Sequence, residues 1–152
     1  MEYSKATVDC LNEVVDLVQK TILEEYTKCY PKEVVEFFCE LHSEDNIKRD
    51  IREGRVGILK VDGVIVGTGC YKGDHITRVY VLPAYQRQGY GNYIMRQLEN
   101  WIAMDYDAVQ LDASLPARRL YEKRGYKVIK TEKYELENDV IFTYEVMKKD
   151  LY

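Results

Sequence analysis

The chain has 152 residues, enough for one domain with one core, and its 46% hydrophobic and 32% charged residues are those of an ordinary soluble globular protein. A formal net charge of −4 with no long Lys/Arg block argues against a nucleic-acid partner, and the short runs Arg118-Arg119 and Lys148-Lys149 read as solvated faces. No apolar run approaches the roughly 20 residues that span a bilayer, and "MEYSKATVDC" lacks the apolar core of a signal peptide, so the expectation is a cytoplasmic protein with no membrane partner.

Residues 3–6 fit a short first strand. From about Val8 to Tyr26, apolar residues recur at helical spacing (Leu11, Val14, Val15, Val18, Ile22). Pro31 opens a second helix through Val34, Val35, Phe37, Phe38 and Leu41. Ser43 predicts a third, short helical piece ending at Gly54. "RVGILKV" and "VIVGTGCY" then form a hairpin around Asp62-Gly63, a strong two-residue turn signal. Gly73-Asp74 turns into the strand "HITRVYV", and a helix follows from roughly Gly91 to Asp105. "AVQLDA" is a fifth strand, Pro116 starts the helix "PARRLYEKR", and Gly125 stops it. "KVIKTEKYEL" and "VIFTYEVMK" close the chain as two strands around Glu137-Asn138-Asp139. With no linker or repeat, residues 1–152 read as a single domain carrying a mixed sheet with helices on its faces, an α/β (α+β) class.

Cys10, Cys29, Cys39 and Cys70 form no CxxC pair and no metal-like Cys/His cluster, so they read as free thiols that mostly fill space, and no metal site is expected. The 14 tyrosines read as half-buried packing residues with wet hydroxyls.

The stretch "VYVLPAYQRQGYGNYIMRQLENW" places Gln86-Arg87-Gln88-Gly89-Tyr90-Gly91 between a strand and a helix. Such a loop is either a tight connection or a cradle for an anion. A helix N-terminus leaves about four amides unpaired and carries partial positive charge, which suits a phosphate. Gly89 and Gly91 remove the Cβ atoms that would block its approach, and Arg87 adds a charge-assisted contact. Two other phosphate motifs are excluded. The dinucleotide fingerprint needs a third small residue where Ile94 stands, and the P-loop's Gly-Lys-Ser/Thr is absent. A second stretch, "LDASLPARRLYEKRGY", runs from a strand through Ser114 and Pro116 into a helix carrying Tyr121. Alone, Tyr121 reads as a core residue beside Leu120.

Together the two stretches resemble the acyl-CoA signature of the GNAT superfamily of N-acetyltransferases, well over residues 55 to 130 and only in element order before that. The resemblance implies a GNAT-like acyl-CoA N-acyltransferase fold: a central, largely antiparallel sheet with a splayed parallel strand pair, flanked by helices. It implies acetyl-CoA as acyl donor, with pantetheine against Val79, Tyr80 and Val81 in a gap beside "AVQLDA". The pyrophosphate then lies on Arg87, Gln88, Gly89, Tyr90, Gly91 and Asn92, and an amide near Val81 holds the oxyanion. Ser114 stands where many members carry an Asn that contacts the cofactor arm; it keeps a polar group but shortens its reach.

By the same resemblance Tyr121 is the acid that protonates the departing thiolate. The base position holds no Glu on the fifth strand. On the fourth strand, His75 stands where lysine acetyltransferases of the superfamily carry theirs; it reads either as that base or as a strand-end residue facing water, with Asp74 and Asp112 as further candidates. His42 reads as a surface residue. The acceptor groove is implied between the first helices and the final hairpin. Glu24, Glu25, Glu33 and Glu36 lean toward a cationic acceptor, though solvated helix faces explain them equally. The function read from the sequence is acetyl transfer to a primary amine of a small molecule or peptide by direct attack. A non-catalytic acyl-CoA-binding sensor or scaffold, a longer acyl-CoA and a homodimer stay open.

Overall fold

Local sequence signals set most element boundaries in the computed structural model, which describes residues 1–152 throughout. Strand β1 (Glu2–Lys5) leads into helix α1 (Leu11–Glu25), which buries Val14, Leu17, Val18 and Ile22 along one face. Helix α2 (Lys32–Leu41) starts after Pro31, and α3 (Glu44–Arg52) is capped by Ser43, whose Oγ accepts the Asn46 amide at 3.3 Å. Strands β2 (Val56–Val61) and β3 (Val64–Lys72) meet at Asp62-Gly63, whose φ values of 52° and 80° are those of a type I′ hairpin turn. Then come β4 (His75–Val81), α4 (Tyr90–Ala103), β5 (Ala108–Ser114), α5 (Arg118–Lys123), β6 (Lys127–Glu135) and β7 (Ile141–Asp150).

Two helices are shorter than their spacing predicts. Val8–Cys10 and Tyr26–Lys28 are 3-10 turns that flank α1, as helix ends often are. Pro116 lies in a 3-10 turn, Leu115–Ala117, so α5 starts only at Arg118. The thiols are less uniform than expected: Cys70 is buried, Cys10 and Cys39 half-buried, and Cys29 exposed.

All seven strands share one sheet in the order β1-β2-β3-β4-β5-β7-β6. Every neighbouring pair is antiparallel except β4–β5. This is the largely antiparallel sheet with one parallel pair that the resemblance implied. Helices α1, α2 and α3 cover one face around Val18, Ile22, Val35, Ile47 and Ile58. Helix α4 covers the other, with Ile94, Leu98 and Ile102 against Leu59, Val66, Val109 and Met147.

On the α4 face the contact is close because the sheet presents glycines. Gly57 and Gly69 are cross-strand partners on β2 and β3. A Cβ on Gly57 would enter the Tyr3 ring, and one on Gly69 would lie 2.8 Å from Ile94 Cγ2 and 2.9 Å from Leu98 Cδ1. Gly69→Ala should therefore force α4 outward and cost about 1–3 kcal/mol. The expected result is a lower urea midpoint with an unchanged m-value; an unshifted midpoint would show that α4 has room to spare.

Candidate active site

The parallel pair β4–β5 is short. Only His75 with Gln110 and Ile76 with Leu111 are in register. Directly beyond, Thr77 is an extra residue: Tyr71 of β3 opposes Ile76, and Cys70 opposes Arg78. A bulge bends its strand and increases the local twist, so β4 and β5 part at this point. It also changes which side chains share a face. Ile76 packs toward α4, and after the bulge Val79 and Val81 do so, while Tyr80 packs toward α1.

The parting leaves backbone groups without a ladder. The Leu82 amide donates to the Val66 carbonyl at 2.9 Å. Antiparallel pairs alternate between bonded and non-bonded residues, so Tyr80 and Arg78 bond β3 while Val79 and Val81 turn their amides and carbonyls toward the gap. Gln86 Nε2 donates to the free Val81 carbonyl at 2.9 Å. The other edge of β5 is paired with β7 along its whole length, from Ala108–Asp150 to Ser114–Tyr144.

A cavity of about 430 Å³ opens at the gap, within the roughly 300–1,000 Å³ of small-molecule sites. His75, Thr77, Asp112, Ser114 and Tyr121 line it from the strands and α5, Tyr26 and Phe38 from the first helices, and Tyr134 and Phe142 from the last hairpin. The Ser114 side chain makes no hydrogen bond at its cap position. Burial pushes the Tyr121 hydroxyl above the ordinary tyrosine range, against a smaller lowering by Arg124. It therefore stays protonated at neutral pH. His75 Nε2 lies 3.2 Å from Asp112 Oδ1. Asp74 is engaged elsewhere, accepting from Gln110 Nε2 at 3.3 Å.

The loop before α4 lies in the same region of the sheet, just past β4. Gly89 is its N-cap residue at φ 87°, and no side chain caps the helix, so the first-turn amides of Tyr90, Gly91 and Asn92 are free. Arg87 is left-handed at φ 63° and exposed, as are Gln88 and Asn92. A Cβ on Gly91 would have only Val81 Cγ2 near it, at 4.0 Å. Its chain neighbours do not require glycine there, and the space is open to a ligand. Helix α4 is tied to α5 and β7 through buried Glu99, which accepts from Arg124 Nη2 at 2.9 Å, Tyr126 Oη at 2.6 Å and Lys149 Nζ at 3.3 Å. Arg124 Nη1 also donates to Asn92 Oδ1 at 3.2 Å.

The helix-side end of the cavity is charged and buried. Arg78 donates through Nε to His42 Nδ1 at 3.0 Å and through Nη2 to Asp50 Oδ2 at 2.9 Å. Arg55 Nη2 donates to Asp50 Oδ1 at 2.6 Å. Arginine can only donate, so Nδ1 of His42 bears the lone pair and Nε2 the hydrogen. Burial, and then the Arg78 charge, pull the His42 imidazole down to about 3.

With this geometry in place, the comparisons are direct. Residues 25–148 match the model of the acetyltransferase (GNAT) domain. The chain belongs to the GNAT acetyltransferase family. A GCN5-related N-acetyltransferase from Rhodopseudomonas palustris superposes with a TM-score of 0.86 at 22% identity, covering 98% of this chain and 94% of that one. The PaiA N-acetyltransferase of Thermoplasma acidophilum, solved in complex with coenzyme A, gives a TM-score of 0.74 at 16% identity over 98% of both chains. A GNAT-family acetyltransferase of Bacillus cereus gives 0.69 at 15%, covering 98% and 96%. At these identities the likeness is one of fold. No curated protein sequence matches the chain significantly.

Within this GNAT architecture the structure brings His75, Ser114 and Tyr121 to one cavity, with the unpaired edge of Val79 and Val81 alongside. The loop from Arg87 to Asn92 stands apart from them at the head of α4. The Tyr80 side chain points away from the α4 face; its hydroxyl lies 3.2 Å from that of Tyr26. One sequence reading is corrected, and one left open falls to its solvated-face alternative. His42 is not a surface residue but 5% exposed, because Arg78 needs an acceptor inside. The acidic residues of the first helices do not line the cavity. Glu24, Glu25 and Glu36 pair with Lys20, Lys28 and Lys32, and Glu33 accepts from Asn138. Arg78, Asp50 and Arg55 were missed. A lone Arg in a strand that is otherwise apolar at its inward positions was the available signal.

The His42 environment has a measurable consequence. A depressed folded-state value means that stability is complete above ~6.5, the unfolded imidazole value, and declines as pH falls from there toward about 3. In proton-detected NMR the His42 ring should stay neutral to below pH 5. A midpoint near 6.5 would place the ring in water instead.

Proposed function

We propose that the protein transfers the acetyl group of acetyl-CoA to a primary amine by direct attack. The observation that carries this reading is the gap: gap-facing Val79 backbone and the Val81 amide on one side, and the protonated, cavity-lining Tyr121 on the other.

An extended pantetheine chain, bearing amides of its own, suits the free edge of β4 as an added strand does. The free amides of Tyr90, Gly91 and Asn92 suit the pyrophosphate, with Arg87 exposed beside them for charge. Oriented amides in such a gap stabilise developing negative charge on a thioester oxygen, and the Val81 amide, turned that way like that of Val79, is the one assigned this role.

Two proton movements remain. A lysine-like amine at ~10.4 is neutral in only about one molecule in 2,500 at pH 7, and an α-amine at ~7.8 in about one in seven. His75 takes the amine proton, and Asp112, with Oδ1 3.2 Å from its Nε2, stabilises the imidazolium that forms. As the thioester C–S bond breaks, Tyr121 gives its hydroxyl proton to the departing sulfur, and the tyrosinate recovers a proton from solvent.

Three variants test the assignment. Gly91→Ala adds a Cβ to the space above the helix start. It should leave the apo protein as stable or up to about 1 kcal/mol more so, yet weaken acetyl-CoA binding tenfold or more by calorimetry; unchanged affinity would remove the loop from the site. Gly89 is unsuited to this test, since its φ of 87° strains any side chain. Tyr121→Phe keeps the ring and should lower kcat about 10²–10³-fold with little change in acetyl-CoA affinity. Nearly full kcat with a lowered Tm would assign the tyrosine to the core. For His75→Gln, the acid limb of the kcat/KM profile should vanish, and in the parent protein that limb should stay put when the acceptor amine is changed. A variant that keeps both rate and limb would move the base to another residue.

A further inference from the structure

Resting on the acetyl-transfer reading, we infer that the acceptor amine also carries a carboxylate, held by Arg78 and Arg55, and an apolar body, as an aromatic amino acid does.

The inference starts from a charge imbalance. Two guanidiniums, with side chains 3% and 13% exposed, share one carboxylate, Asp50, that is 10% exposed. Both oxygens of Asp50 are used, Oδ1 by Arg55 and Oδ2 by Arg78. Glu53 forms a second ion pair with Arg55 from the solvent side, its side chain 51% exposed. His42 is neutral and contributes no charge. Among the buried groups alone, two guanidiniums stand against a single carboxylate.

Hydrogen bonding points the same way. Arg78 Nη1 and Arg55 Nε are buried and have no partner, and both residues line the cavity. An orphaned buried donor costs about 1–3 kcal/mol, more when charged. A carboxylate supplies one negative charge and two acceptor oxygens, the match for which arginine is the usual partner. The whole lining repeats the bias: Arg49, Arg55, Lys72 and Arg78 face only Asp50 and Asp112 as carboxylates.

The cavity is also polarised. Asp112 with His75 stands at the gap where an amine would react, with exposed Lys72 opposite His75 on β3, and the two buried guanidiniums stand at the helix side. A zwitterionic amino acid has that polarity. Between the two ends lies an aromatic wall in which Phe38 meets Tyr26 at 5.1 Å and Phe142 at 5.2 Å, both edge-on, and Tyr30 meets Phe142 at 5.6 Å. That wall suits an apolar or aromatic side chain.

Matched acceptors test this without any variant. Thiol release from acetyl-CoA is followed with phenylalanine, with phenethylamine (the same body without the carboxylate) and with spermidine (cationic). The expected result is a kcat/KM for phenylalanine at least tenfold above both others. N-acetylphenylalanine should raise Tm where N-acetylphenethylamine does not. In Arg78→Gln the phenylalanine-to-phenethylamine ratio should fall toward one; if that variant does not fold, the matched acceptors and products on the parent protein still decide. Turnover of phenethylamine or spermidine at or above that of phenylalanine would overturn the carboxylate inference and leave acetyl transfer standing. Absence of thiol release with all three would overturn both.

Discussion

The parting of β4 from β5 at Thr77 is the constraint on which the rest of the molecule depends. A single extra residue ends the parallel ladder after two couples and moves Val79 and Val81 onto the α4 face. An opening inside a sheet is costly unless its edges find other partners. Here β5 is secured on its far side by seven couples to β7, and β4 is secured by β3. Inside the sheet, between its outer strands β1 and β6, these inner edges lack a ladder, and they face a cavity. The bulge creates both the need for a bound strand and the space to hold it.

The opening would weaken the sheet if nothing bridged its halves. Helix α4 does so, resting on β3 and β4 and also contacting β5. Glu99 adds a polar clamp, gathering Arg124, Tyr126 and Lys149 from α5, the turn after it and β7. Three donors on one carboxylate satisfy a charge that would otherwise be expensive to bury. Through Arg124 the same clamp reaches Asn92 at the head of α4, so the helix that carries Tyr121 and the loop proposed for the pyrophosphate are held in one frame.

Much of this was legible in the sequence because it is written locally. Asp62-Gly63 needs only its own two residues to declare a hairpin, Ser43 needs only Asn46 to cap a helix, and the glycine loop lies within one strand-to-helix connection. Tyr121 and His75 were reachable through motif and position, and both line the cavity. What could not be read is what depends on distant partners. His42 looked like a helix-end residue facing water, and only the fold reveals Arg78, 36 positions away, pressing on it. Asp50 sits on an amphipathic helix as one acid among many charges; its burial comes from two arginines on different strands and turns. Nor does the acidic bias of the first helices carry to the site, because Glu24, Glu25 and Glu36 find lysines one turn away and Glu33 finds Asn138. Helical net charge and cavity charge are separate quantities.

The cavity walls come from residues 26–42 at one end of the chain and from the β6–β7 hairpin at the other, whereas the gap, the loop and α5 come from the middle. No residue of the two outer segments takes part in the parting of β4 and β5. Division of labour therefore runs along the chain: the outer segments can drift in sequence and reshape what is admitted, while the centre stays fixed by the bulge and the glycines.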